Sequence, residues 1–260
     1  NTRPQNRPPM TSLRPNLVKR IERLPKPSNV AGAMQPLFEA ISNAIHSTQS
    51  RFGDEVSTKG RVTVTVSTNR EKKGVWATVE DNGFGLDEEN WEAFTTTDTD
   101  NKIKIGGKGV GRLLWLDCFE TISISSIFKD GKETKKREFK FVLLLENQIQ
   151  DESVTSVTTD GDSSFFVKFE GLRANGYLDW FPGRDSYIFQ HLTSHFLPVF
   201  IGGRAPLVTV HVGDKTRHYP DAIKEIVHRR DPEIEISTDE YGLLKLTLME
   251  CDKVPSSDLK

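Results

Sequence analysis

Three short groups of residues, met in chain order, have the types and spacing to do chemistry. The first is Glu39-x-x-x-Asn43, set among Phe38, Ala40, Ile41, Ala44 and Ile45. The apolar spacing there is helical, and residues four apart stack on one helix face. A carboxylate in such half-buried surroundings needs partners or a ligand, and it can orient and deprotonate a water. An amide oxygen one turn on is a hard donor, suited to a Mg²⁺ whose other ligands are phosphates and waters. The second group is Asp81-x-Gly83-x-Gly85, at the end of a strand-like run. A carboxylate fixed there can accept a hydrogen bond from an exocyclic amine, while the glycines let a flat base approach the backbone. The third is Gly106-x-x-Gly109-x-Gly111, with Gly107, Lys108 and Val110 between, leading into an apolar helix. Glycines at a helix N-terminus expose backbone N–H groups and the positive end of the dipole, an anion site to which Lys108 adds charge.

Each group has a plain structural alternative when taken singly. Glu and Asn are common on solvated helix faces, and Asn82-Gly83 is an ordinary turn. With 19 glycines in 260 residues, three at fixed offsets arise by chance in about one protein of this length in ten. Other phosphate loops do not fit. A P-loop requires glycine where Lys102 stands and Ser or Thr where Gly109 stands, and the dinucleotide fingerprint requires glycine at Leu114. The kinase glycine loop fails at Glu88.

The elements that must position these groups are legible from periodicity. A short helix follows Pro15 and is stopped by Pro25 and Pro27. A long helix spans about Ala33 to Phe52, with Pro36 in its first turn. Arg61–Thr68 alternates as a half-buried strand, and a charged turn at 69–74 leads into the strand Val75–Glu80. Helices are expected at Asp87–Phe94 and Arg112–Cys118, flanking an aperiodic stretch from Thr95 to Lys104. Strands follow at Thr121–Phe128, Arg137–Glu146 and Ser163–Phe169, with a hairpin tip at Asp130-Gly131. A helix near Ser186–Phe200, a strand at Leu207–Val212, a helix at Asp221–His228 and a strand at Leu243–Met249 complete the chain. This order predicts an α+β sandwich with helices on one face of the sheet.

Composition narrows the class. Thirty-five basic against 37 acidic residues, net −2, give no whole-chain case for nucleic acid or membrane binding. The run Lys132–Lys136 reads as a solvated turn, so nucleic acid as a partner lacks support. No apolar run approaches a membrane span. Cys118 and Cys251 read as free thiols of a reducing, cytoplasmic compartment. His191-x-x-x-His195 has metal-ligand spacing, but Leu192 stands in place of the zinc-protease glutamate and no third ligand is near.

Taken together, the three groups resemble the GHKL ATPases, the superfamily of DNA gyrase, heat-shock-ninety chaperones, histidine kinases and MutL mismatch-repair proteins. Phe38–His46 looks like the N-box of that family, Asp81–Leu86 like its first glycine box and Gly106–Gly111 like its second. The likeness covers about residues 30 to 170. It implies a Bergerat fold, a two-layer sandwich with a mixed, mostly antiparallel sheet backed by helices, and ATP and Mg²⁺ as ligands. By position, Glu39 would be the general base and Asn43 the Mg²⁺ ligand. Asp81 would hold the adenine amine, with Gly83 and Gly85 lining the base pocket. Residues 95–111 would form the ATP lid, Gly106, Gly107, Gly109, Val110 and Gly111 meeting the phosphates and Lys102, Lys104 and Lys108 being its cations. Ser163 or Ser164 is the nearest match to a threonine that commonly steadies the adenine.

Histidine-kinase domains usually carry Asn where this chain has Glu39, and no phospho-acceptor segment precedes the N-box, which points to hydrolysis. The alternatives are a non-hydrolysing, ATP-gated interaction module and histidine-kinase-like phosphotransfer. The stretch 107–116 looks most like large bacterial multidomain proteins with an N-terminal chaperone-like ATPase, some tied to phage defence. The resemblance further implies ATP-driven lid closure and homodimerisation. The expected organisation is a flexible tail (1–14), the ATP-binding domain (15–205) and the start of a truncated, transducer-like region (206–260) whose missing continuation or effector would complete a slow ATPase.

Overall fold

The computed structural model describes residues 16–96, 111–158, 162–240 and 242–251. The helices are α1 (Leu17–Glu22), α2 (Val30–Phe52), α3 (Val56–Lys59), α4 (Glu88–Thr95), α5 (Gly111–Cys118), α6 (Tyr177–Trp180) and α7 (Asp185–Ile201). The strands are β1 (Arg61–Ser67), β2 (Trp76–Asp81), β3 (Phe119–Asp130), β4 (Glu133–Phe141), β5 (Ile149–Ser156), β6 (Ser164–Leu172), β7 (Leu207–Val212), β8 (Lys215–Tyr219), β9 (Val227–Arg230), β10 (Ile234–Thr238), β11 (Gly242–Leu246) and β12 (Met249–Cys251).

The first eight strands make one sheet in the order β5-β4-β3-β6-β2-β1-β7-β8. Every neighbouring pair is antiparallel except β1 with β7. One face is apolar and buried under α2, α5 and α7, while the other carries residues such as Thr63, Thr65, Lys168 and Glu170. This is the two-layer α+β sandwich of the Bergerat fold, as the resemblance implies.

The register explains where a site can form. Directly paired residues share a face. One rung runs Val212, Val66, Ala77, Phe169, Ile122, Phe141, and the next Val210, Val64, Val79, Val167, Ile124, Phe139. All twelve are buried and belong to one core. The following rung reads Tyr219, Val208, Val62, Asp81, Phe165, Ser126, Arg137. Its centre is polar, although Asp81, Ser126 and Arg137 are as buried as the valines beside them. The apolar core therefore ends at the C-terminal end of β2.

Helix α2 begins at Val30, earlier than expected, because Asn29 caps it by accepting from the Gly32 N–H at 2.7 Å. Pro36 thus sits beyond the first turn, and its carbonyl accepts from Trp115 Nε1 at 3.0 Å, tying α2 to α5.

Several sequence expectations are corrected. Strand β4 starts at Glu133, straight after the Asp130-Gly131 tip, and stops at Phe141, so most of the Lys132–Lys136 run is strand rather than turn. The helix expected at Asp221–His228 is a 3₁₀ turn over Asp221–Glu225 followed by β9, because residues 227–230 pair with β12. The strand expected at Leu243–Met249 is two strands, β11 pairing with β10 and β12 with β9. Strands β5, β8, β9 and β10 were not among the sequence expectations; β5 and β8 are sheet edges with little apolar alternation to reveal them.

Strands β7 and β8 lie beyond position 206 yet complete the main sheet, with Val208, Val210, Val212, Tyr219 and Ile223 all in its core. Deleting residues 207–260 should therefore abolish cooperative urea unfolding by exposing the β1 edge and its valines. Deleting 232–260, which removes only β10–β12, should leave a single cooperative transition, followed by tryptophan fluorescence.

Candidate functional site

Four polar residues of α2, Glu39, Asn43, Ser47 and Arg51, fall at successive four-residue intervals and form a stripe beside the helix's apolar face. The stripe faces the polar end of the sheet. Asn43 Nδ2 donates to Glu39 Oε1 at 3.2 Å, so the amide nitrogen is turned to the carboxylate. Ser47 donates to the Asp81 carboxylate. Arg51 reaches past Asp81 to the loop beyond it.

Asp81 is 3% exposed. Burial raises its carboxyl to about 7, against the opposing effects of the Gly83 N–H, the Ser47 hydroxyl and the Arg51 charge; Glu80 adds to the rise. The Gly83 N–H donates to Asp81 Oδ1 at 2.8 Å. Glycine is required at 83 by close approach, since a Cβ there would lie 1.8 Å from Ser47 Oγ. Gly85 has φ +73° and a Cβ there would lie 2.4 Å from the Ile127 carbonyl oxygen, so both space and backbone conformation exclude a side chain.

The chain between Asp81 and Leu86 leaves the ladder, and side chains from neighbouring elements take over its backbone groups. Asn82 bonds the Arg61 N–H through Oδ1 at 2.7 Å and the Lys59 carbonyl through Nδ2 at 2.9 Å. Asn90 donates to the Gly85 carbonyl at 3.0 Å. Ser126 Oγ accepts from the Leu86 N–H at 2.8 Å, and Arg137 Nη1 donates to the Leu86 carbonyl at 2.9 Å. The Arg137 guanidinium is packed over Trp91, 4.2 Å from its ring centroid, and pairs with Glu88 at 3.0 Å.

Gly111 opens α5 directly against Glu39, where a Cβ would fall 2.0 Å from Oε1. The carboxylate and the start of this helix therefore touch only because position 111 lacks a side chain. Arg112 donates to the carbonyls of Ala93, at 2.8 Å, and Thr96, linking the start of α5 to the end of α4.

The structure thus brings Glu39, Asn43 and Gly111 together, and Asp81, Gly83 and Gly85 along the same helix stripe and sheet end. Lys102, Lys104, Gly106, Gly107, Lys108, Gly109 and Val110 lie outside the described residues. Of the two serines, Ser163 is buried, and alternation from Phe165, the partner of Asp81, puts it on the face Asp81 occupies. Sequence reasoning missed Ser47, Arg51, Ser126 and Arg137. The first two continue the four-residue spacing of Glu39 and Asn43; the last two interrupt inward apolar alternation in β3 and β4.

Residues 29–146 match the family model described as histidine kinase-, DNA gyrase B- and HSP90-like ATPase. The match supports a GHKL ATP-binding domain over these residues. The matched segment runs from the cap of α2 to just past β4, and so contains the helix stripe, the Asp81 turn and the start of α5. No curated protein matches the chain. Among the described residues, no helix is long and apolar enough to cross a membrane. No group of three or more His, Cys, Asp and Glu is placed to hold a metal among them either, and His195 instead stacks on Phe38 with ring centroids 4.1 Å apart.

The raised Asp81 group makes stability pH-dependent in this GHKL domain. The folded state holds the proton up to about pH 7, whereas an unfolded aspartate releases it near 4. Ionisation of Asp81 therefore costs stability progressively as pH rises from about 4 to 7, and the cost is constant above. Asp81→Asn, lacking that charge, should match the wild type near pH 4 and exceed it at pH 8 by at most about 4 kcal/mol. Urea unfolding of both proteins across this range measures the difference.

Proposed function

We propose that this domain hydrolyses ATP with Mg²⁺, Glu39 serving as general base. The observation that carries the proposal is the contact between the Glu39 carboxylate and Gly111 at the start of α5. A helix N-terminus attracts phosphate through its unpaired N–H groups and dipole, so a carboxylate lying against it is placed to act on a water beside a bound triphosphate. In the chemical step the water oxygen bonds the γ-phosphorus and the bond to the bridging oxygen breaks. The water proton passes to Glu39 and ADP leaves with the electron pair.

Asp81 accepts a hydrogen bond from the adenine amine, with Gly83 and Gly85 giving the base access to the backbone. Asn43 fits a Mg²⁺ site by the chemistry of its donor, because its amide nitrogen is committed to Glu39 and a carbonyl oxygen suits a hard cation. Asn43 would hold such an ion, and the chemistry supplied there would be neutralisation of charge on the γ-phosphoryl group. Glu39 as a carboxylate supports hydrolysis over the phosphotransfer alternative.

Lid closure by residues 95–111, ATP-driven self-association and a downstream transducer-like region belong to this proposal on the strength of the family resemblance. The pairing of β7 and β8 with the main sheet supports drawing the domain's end after the 3₁₀ turn at 221–225 rather than at 205.

Glu39→Ala should lower ATP turnover by about 10²–10⁴-fold while a non-hydrolysable ATP analogue still binds. Gly111→Ala should impair turnover too, because its methyl group displaces the carboxylate. Turnover that survives Glu39→Ala would remove Glu39 as the base. Retained analogue binding with no turnover by the wild type would favour the ATP-gated module instead.

A further inference from the structure

The Arg51 guanidinium joins two chain segments that the sheet does not. Nη1 donates to the carbonyls of Asn82 at 2.7 Å and Gly83 at 3.2 Å, and also to that of Ser163 at 3.1 Å. Nη2 donates to Asp162 Oδ1 at 2.9 Å. Strands β2 and β6 are paired as far as Asp81 and Phe165. Beyond that rung the ladder between them ends; Arg51 bridges the turn leaving β2 and the turn entering β6 from the helix side, and Ser126, which accepts from the Leu86 N–H and donates to the Ser164 carbonyl at 2.9 Å, links them from β3. The Arg51 side chain is internal, 19% exposed, while Asp162 is 77% exposed. An exposed ion pair contributes little, so the three carbonyls are the substance of the bridge.

The bridged segments flank Asp81. Gly83 donates to its carboxylate, and Ser163 lies on its face of the sheet. Arg51 Nη1 thus ties Gly83, which touches that carboxylate, to Ser163 on the same face of the sheet. The guanidinium plane, held also through Nη2, fixes where Nη1 stands among the carbonyls of the two turns, and a single ammonium on a flexible stem is not held in one plane.

We propose that Arg51 is a positioning residue for base recognition, fixing the two turns beside Asp81 relative to each other so that a flat 6-aminopurine is preferred over a 6-oxopurine. The inference rests on the nucleotide site proposed above. Arg51 acts through Asn82, Gly83 and Ser163. Its charge also opposes the upward shift of Asp81, keeping the acceptor form more accessible to an amine.

The test is calorimetric titration of the full chain, with Mg²⁺, by non-hydrolysable analogues of ATP and of GTP. Wild type should prefer the ATP analogue. Arg51→Met should lose at least about tenfold of its ATP-analogue affinity, as expected for broken hydrogen bonds from a charged donor, with GTP-analogue affinity unchanged. Arg51→Lys should recover part of the preference, and Asp162→Asn should keep all of it. An unchanged ATP-to-GTP ratio in Arg51→Met, whether from no effect or from an equal fall, overturns the inference. If Arg51→Met does not fold, the ratio in Arg51→Lys decides in the same way. A wild type that binds the ATP analogue without preference overturns base selection alone, whereas one that binds neither analogue overturns the nucleotide site itself.

Discussion

A carboxylate taken out of water must find hydrogen-bond donors or give up its charge, and Asp81 is held between these outcomes. It closes the last rung of a sheet whose two preceding rungs are wholly apolar. Its donors come from the next residues of its own chain, through Gly83, and from the helix above, through Ser47. Both require close approach. The glycine at 83 and the small hydroxyl at 47 follow from that one requirement, since any side chain at 83 would occupy the space of the Ser47 oxygen.

The same requirement spreads outward along the turn. After Asp81 the Asn82 N–H still reaches the Arg61 carbonyl of β1 at 3.2 Å, but the peptide groups beyond it leave the ladder, and unpaired buried peptide groups are costly. Arg51, Asn90, Ser126 and Arg137 supply the missing bonds from α2, α4, β3 and β4. Two of these donors are guanidinium groups, which can serve several acceptors in one plane. Arg137 is almost fully buried, and its desolvation is offset by the faces of Trp91 and Phe128 and by Glu88. The outcome is a turn whose shape is set by four neighbouring elements together with its own Asn82, Gly83 and Gly85.

Helix α2 couples the two halves of the site. Its apolar face fixes it to the core, and the polar row beside that face presents Glu39 and Asn43 to α5 and Ser47 and Arg51 to the Asp81 turn. With a rise of about 1.5 Å per residue, the twelve steps from Glu39 to Arg51 span about 18 Å. One rigid rod therefore sets the distance between the group beside the second glycine box and the group beside the first.

Much of this was legible in the chain before folding was considered. The spacing of Glu39 and Asn43, the two glycine patterns and the alternation of Arg61–Ser67 are local, because helix and strand periodicities act over a few residues. Such local rules identified the main helices and the strands with one apolar face, and in combination they led to the family. Strands β5 and β8 escaped because an edge strand exposed on both sides has no alternation to read, and residues 227–230 became strand only by pairing with 249–251. Ser47, Arg51, Ser126 and Arg137 looked like ordinary polar residues, since their partners lie between 31 and 112 positions away or on another strand. The residue types and spacings that can do chemistry were thus determined by the sequence itself. Which backbone groups would be left unpaired at the end of the sheet, and which distant side chains would meet them, was decided only when the strands took their register.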